Sequence, residues 1–162
     1  MTGSATDIER LSEGVDWDAM RAGMDTIVPF IPVVGIRCTE MSVGRAVCVL
    51  PDRTEVHNHI GSLHAGAMFT AGESAAGMAF TGAFVDQLDR IHPLAAGAQI
   101  RYVAVARGDL TVEATLRDDV GDIRERFARD GKVTFVVDVD MRDPDGKLCV
   151  EMSVDWHVRS SG

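Results

Sequence analysis

Over residues 65–85 the chain carries one ionisable side chain, Glu73. Its neighbours are small or apolar: Ala65-Gly66-Ala67-Met68-Phe69-Thr70-Ala71-Gly72 before it, Ser74-Ala75-Ala76-Gly77-Met78-Ala79-Phe80 after it. A segment that is apolar all round a helix is covered by protein on most sides. A carboxylate there is costly to bury without a partner, so Glu73 serves either chemistry or a specific ion pair. The segment is long enough to be weighed as a membrane span. Its Ala and Gly content, its central charge and the strand-like segments after it argue for a core helix and no membrane.

Cover for that helix must come from the rest of the chain, and 162 residues suit one domain with a substantial core. Most of the remaining segments read as strands. Residues 33–41 and 45–50 flank Gly44 as a hairpin, and residues 99–107 and 110–116 flank Gly108-Asp109 as a second. Residues 132–141 and 147–158 flank the turn Asp143-Pro144-Asp145-Gly146. Two shorter helices are expected, over residues 16–28 with Pro29 and Pro32 at the exit, and over residues 119–130 with Gly131 as the stop. Residues 1–13 read as flexible. The pattern is α+β: a curved antiparallel sheet of about six strands around a long central helix, in a single domain over residues 1–162.

The net charge of −9 argues against sequence-independent binding to nucleic acid or to an anionic membrane surface, which needs a basic field. It leaves room for an anionic small ligand held by a few local cations. Cys38, Cys48 and Cys149 lie in apolar, strand-like runs with no CxxC pair, so they read as buried thiols of a reducing compartment, the cytoplasm. His57 and His59 lack acidic partners at ligand spacing, and no metal site is expected. The polar first ten residues have no apolar stretch of the signal-peptide kind.

Residues 51–64 form a long polar loop that ends in His57-Asn58-His59-Ile60-Gly61-Ser62-Leu63-His64, directly before the long helix. Loops of this length are commonly functional. The stretch from Asn58 to Ala67, with Glu73 nine residues after His64, resembles the hotdog-fold thioesterases. It is most similar to the PaaI-like enzymes, including 4-hydroxybenzoyl-CoA thioesterases with a helical glutamate. The likeness extends to Ala106-Arg107-Gly108-Asp109-Leu110, read as a hairpin, and to the turn Asp145-Gly146-Lys147. Such enzymes read His-Gly-Gly where this chain has His64-Ala65-Gly66. The resemblance implies a hotdog fold and an acyl-CoA substrate, with coenzyme A as part of that substrate and no separate cofactor. It also implies a homodimer or a dimer of dimers.

Thioester hydrolysis needs donors for the developing oxyanion and a base or nucleophile near the carbonyl carbon. The start of the long helix offers unpaired N–H groups at the positive end of the helix dipole, which makes Ala65 and Gly66 the expected donors. Glu73 would activate water or attack directly to give an anhydride. The resemblance implies that Asn58 places the carbonyl or the water; an Asx turn is its other reading. His64 would brace the loop or cap the helix. His59, Gly61, Met68, Met78, Arg101 and Arg107 complete the substrate-binding candidates, with Met68 and Met78 along an acyl tunnel and the arginines toward CoA phosphates. Met20 and Met24 read as core filler, and Trp17 and Trp156 as packing residues.

Ala65 and Glu73 are about 12 Å apart along a helix, so one carbonyl cannot touch both. The donors and the carboxylate are therefore expected from different subunits of a dimer. Two other functions fit parts of the pattern. His59 lies fourteen residues before Glu73, the spacing of β-hydroxyacyl-ACP dehydratases, although the intervening residues contain no proline. A non-catalytic acyl-CoA-binding protein of the same fold is the other.

Overall fold

The computed structural model describes residues 5–161. Three helices come first: α1 (Ala5–Ser12), α2 (Trp17–Ile27) and α3 (Phe30–Val34). The hairpin of β1 (Arg37–Ser42) and β2 (Arg45–Leu50) leads through the long loop to α4 (Ala65–Ala83). Then follow β3 (Ile91–Tyr102), β4 (Leu110–Leu116), α5 (Val120–Asp130), β5 (Lys132–Arg142) and β6 (Leu148–Ser160). The six strands form one antiparallel sheet in the order β1-β2-β4-β5-β6-β3, curved around α4.

Strict alternation makes the sheet's inner face. Leu110, Val112 and Ala114 on β4, Phe135, Val137 and Val139 on β5, and Val150, Val154 and Trp156 on β6 all point to the core, with polar residues between them turned out. The helix meets this face through Ala71, Ala75, Ala76, Ala79 and Ala83, all without exposed surface. Close approach explains why the segment is so rich in small residues. A Cβ on Gly82 would overlap the Ser42 carbonyl oxygen, and one on Gly72 would overlap the Met152 and Met141 side chains. Phe80 packs on Trp156 with ring centroids 4.6 Å apart, closing the far side of the helix against β6.

Local chemistry sets the smaller elements. Asp16 caps α2, its Oδ1 accepting from Ala19 N–H at 2.9 Å. Asp119 caps α5 in the same way, and left-handed Gly131 ends it.

Four sequence expectations are corrected. Residues 5–12 are helical rather than frayed, because Leu11 packs on the core. Residues 30–34, expected as helix exit and strand start, form α3, with Ile31 and Val34 buried and Gly35 as left-handed cap, so β1 begins only at Arg37. The strand expected over residues 99–107 begins at Ile91 and stops at Tyr102. Lastly, β3 and β4 form no hairpin: β3 pairs with β6, and β4 lies between β2 and β5. β4 instead pairs over six positions with each of β2 and β5.

β3 is an edge strand that no other described strand covers on its outer side. From His92 to Gln99 it is exposed on both faces. Long exposed edges are templates for pairing with another chain.

Candidate functional site

Glu73 lies mid-way along α4, on the one flank that the sheet leaves uncovered. Gly66, Phe69, Thr70, Glu73 and Gly77 follow one another at helical spacing, and none of them is fully buried. Glu73 is thus half-buried rather than enclosed. Among the described residues its carboxylate makes no hydrogen bond or ion pair, and burial pushes its pKa up from the ordinary value.

Beside it opens a cavity of ≈ 450 Å³. Ser74, Gly77 and Phe80 of α4 form one wall, Met20, Met24 and Ile27 of α2 the opposite one, and Leu94 of β3 and Trp156 of β6 a third. Among the described residues Glu73 is the only ionisable group on this lining. The cavity exists because α2 packs on β1 and α3 on α4, which leaves apolar side chains of both helices facing each other across a gap.

The polar loop ends at the N-terminus of α4. Asn58 spends its amide inside the loop: its Oδ1 accepts from Ile60 and Ser62 N–H at 3.1 and 3.2 Å, and its Nδ2 donates to Ser62 Oγ at 2.8 Å and Leu63 O at 3.3 Å. That is an Asx turn closed by Gly61 at φ +68°. Arg107 donates to Gly61 O at 2.8 Å and so ties the turn to the β3–β4 connection. A second tie is the contact of His57 Nε2 with the Asp52 carboxylate, whose other oxygen accepts from Gly108 N–H at 2.6 Å. The His57 bond, helped by Gly108, holds the Asp52 pKa below its ordinary value against the opposing effect of burial.

His64 is the N-cap of α4. Its Nδ1 accepts from Gly66 N–H at 2.9 Å, and its carbonyl accepts from Met68 N–H at 3.1 Å. Ala65 N–H, one residue into the helix and exposed, has no acceptor among the described residues. Tyr102 Oη donates to Ala65 O at 3.0 Å, which joins the end of β3 to the first turn of the helix. Within one chain Ala65 and Glu73 stay about 12 Å apart along the unbroken helix axis.

Comparison with known proteins agrees with this architecture. Residues 18–158 match the family described as "Domain of unknown function (DUF4442)". The chain belongs to the DUF4442 family. No curated protein matches it. Among solved structures this DUF4442 protein is similar to a Pseudomonas aeruginosa protein of unknown function named a probable thioesterase, at 25% identity and TM-score 0.80, over 91% of this chain and 97% of that one. It also resembles the Escherichia coli PaaI protein of the phenylacetic acid degradation operon, at 20% identity and TM-score 0.68, over 89% and 94% of the two chains. A Haemophilus influenzae thioesterase matches at 14% identity and TM-score 0.71, over 91% and 93%. The fold is the hotdog fold.

The DUF4442 chain distributes the expected site residues over four places. Asn58, Gly61, His64, Ala65, Gly66 and Arg107 gather around the loop and the α4 N-terminus. Glu73 stands apart at the cavity. Met68 and Met78 are buried in the core and do not line the cavity; the methionines that do are Met20 and Met24. His59 is exposed on the loop and does not line it either. Arg101 is exposed on β3 and paired with Glu151 at 2.9 Å.

Sequence reasoning missed the cavity walls on α2 and β6, together with Asp52 and Tyr102. The helical spacing of Trp17, Met20 and Met24 and the alternation that turns Trp156 inward were the available signals. Among the described residues no three His, Cys, Asp or Glu side chains cluster as metal ligands, and no helix is long and apolar enough to cross a membrane.

Proposed function

We propose that this protein hydrolyses an acyl-CoA thioester, at a site completed by a second copy of the chain. The observation that carries this reading is Glu73: a carboxylate with a raised pKa and no partner among the described residues, on the lining of an apolar cavity and on the uncovered flank of α4. The thioesterase names borne by hotdog structures of the same architecture support it.

Two copies would pair antiparallel through the outer edge of β3 and the uncovered stripe of α4. Leu94 and Phe69, 58% and 39% exposed, are apolar surface that such pairing covers. The antiparallel arrangement brings Glu73 of one protomer toward the α4 N-terminus of the other.

Glu73 then takes a proton from water as the oxygen attacks the thioester carbonyl carbon. The oxyanion of the tetrahedral intermediate is held by the unspent N–H of Ala65, at the positive end of α4. Collapse breaks the carbon–sulfur bond, and the proton on Glu73 passes to the departing sulfur. The products are the free acid and coenzyme A. Asn58 acts by shaping the loop, since its own hydrogen bonds are spent there. The compartment proposed is the cytoplasm, where CoA esters and reduced thiols coexist.

The test is release of free thiol from a panel of acyl-CoAs by the wild type and by Glu73→Gln. The expected result is turnover by the wild type and a loss of about a hundredfold or more in the variant. Undiminished turnover by Glu73→Gln removes this carboxylate from the chemistry. Binding of acyl-CoA without turnover by the wild type makes the protein a binder instead.

A further inference from the structure

The walls of the cavity narrow the acyl group. Resting on the hydrolase reading above, the geometry points to a straight, apolar acyl chain of medium length, admitted past Glu73 and measured by Met20 and Met24 of α2.

Three observations carry this. Beyond Glu73 the lining holds no charge among the described residues. Its other polar groups are few: Thr81 Oγ1 donates to Gly77 O at 2.8 Å, Trp156 Nε1 is enclosed by protein with no acceptor among the described residues, and the Ser74 hydroxyl lines the space. A carboxylate on the acyl group would lose its water there and meet no cation among the described residues, and a hydroxyl would find only Ser74 in return. Secondly, the volume is far too large for an acetyl group. A water-sized unit takes about 30 Å³ and a methylene is of similar size, so ≈ 450 Å³ holds at most roughly fifteen such units, and a space open on one side suits a shorter chain of roughly six to ten carbons. Thirdly, the tilted pair Phe80 and Trp156 gives the lining an apolar aromatic side, while α2 contributes two unbranched thioethers that adapt to a flexible chain.

Gly77 sets the depth. A Cβ there would sit 3.6 Å from Trp156 Cζ2, an ordinary contact, so larger residues enter the cavity rather than collide with backbone. Each methylene buried should raise kcat/KM about fourfold until the space is full.

The experiment is kcat/KM for saturated acyl-CoAs from acetyl to palmitoyl, with 4-hydroxybenzoyl-CoA, for the wild type, Gly77→Leu and Met24→Ala. Calorimetric titration with octan-1-ol accompanies it. The expected profile climbs to an optimum within six to ten carbons and rejects the hydroxybenzoyl ester. Gly77→Leu moves the optimum shorter by about three carbons and abolishes octanol binding, and Met24→Ala moves it longer. Should Gly77→Leu fail to fold, Met24→Ala on the outer helix carries the same comparison.

An optimum at acetyl-CoA or 4-hydroxybenzoyl-CoA, or a profile that neither variant moves, overturns the inference and leaves the hydrolase reading standing. Octanol binding that Gly77→Leu abolishes, with no ester hydrolysed, keeps the cavity assignment and sinks the hydrolase reading.

Discussion

His64 Nδ1 accepts the Gly66 N–H at 2.9 Å, so the side chain that begins α4 also occupies one of its free donors. The consequence is selective. Of the two exposed amides at this helix start, Gly66 is engaged in the free protein and Ala65 is not. An arriving carbonyl therefore meets Ala65 N–H without displacing an acceptor from the described residues.

That assignment can be tested by removing the donor and keeping the helix. Proline is tolerated at the first helical position, and His64 before it has the extended backbone (φ −70°, ψ 139°) that a following proline requires. Ala65→Pro should lower kcat by about a hundred- to a thousandfold, the usual loss for one oxyanion donor. The melting temperature should move little. Steady-state thiol release beside thermal melts checks both. A kcat within a few-fold of wild type would shift the oxyanion to another donor.

His64 itself should matter for stability. Loss of an N-cap acceptor costs about 1 kcal/mol. His64→Ala is expected to show that loss in urea denaturation, and His64→Asn, which restores an acceptor at the cap, should recover most of it. Equal stability of the two variants would remove the capping bond from the energetics.

Burial raises the Glu73 pKa, and this fixes two pH dependences. With the folded value above the unfolded one, the native state holds the proton more tightly. The stabilisation is fully present below the unfolded carboxylate value and is lost as pH rises through the folded one. Glu73→Gln should therefore be more stable than wild type at neutral pH, with the gap closing in acid. Activity runs the other way: kcat/KM should fall as pH drops through the raised pKa, giving an acid limb above the usual carboxylate range. Paired urea melts across pH and a pH–rate profile test the two signs. A limb at or below the ordinary Glu value would contradict the role of burial.

The small residues of α4 differ in what they touch. A Cβ on Gly82 runs into the Ser42 carbonyl oxygen, which is backbone and cannot yield cheaply. At Gly72 it runs into the ends of Met152 and Met141, which can turn aside. Gly82→Ala should cost about 1–3 kcal/mol and Gly72→Ala clearly less, both read from denaturant midpoints. The reverse order would mean that the methionines are the rigid side of this contact.

The same contrast explains what was legible in the sequence. The long helix could be read because a run of Ala and Gly with one acid has few other uses. β5 and β6 could be read because Val133, Phe135, Val137 and Val139 recur at every second position, with Thr134, Asp138 and Asp140 between and after them, and Gly146 closes the turn at φ +81°. The first half of β3 could not: exposed on both faces, it has no inward row to alternate, and Pro93 fits only because it lies on an edge. Gly108-Asp109 looked like a hairpin, but strand pairing here is decided by non-local partners. The loop residues were legible as a group from their polarity, whereas Asn58 shows its Asx turn only in three dimensions. The cavity was hidden because Met20, Met24 and Trp156 come from opposite ends of the chain.

The distance between Ala65 and Glu73 opens the site to a complementation test. If the two belong to one site, they come from different protomers, and two inactive parents can repair each other. Ala65→Pro keeps its Glu73, and Glu73→Gln keeps its Ala65 amide. A mixed dimer then holds one intact site and one doubly damaged site. Random exchange makes half the dimers mixed, so an equimolar mixture refolded together should recover roughly a quarter of wild-type activity. Each parent alone should stay near background. Native mass spectrometry measures the mixed-dimer fraction, and thiol release measures the activity. Mixed dimers present at the expected fraction with no recovered turnover would mean that donor and carboxylate do not share a site.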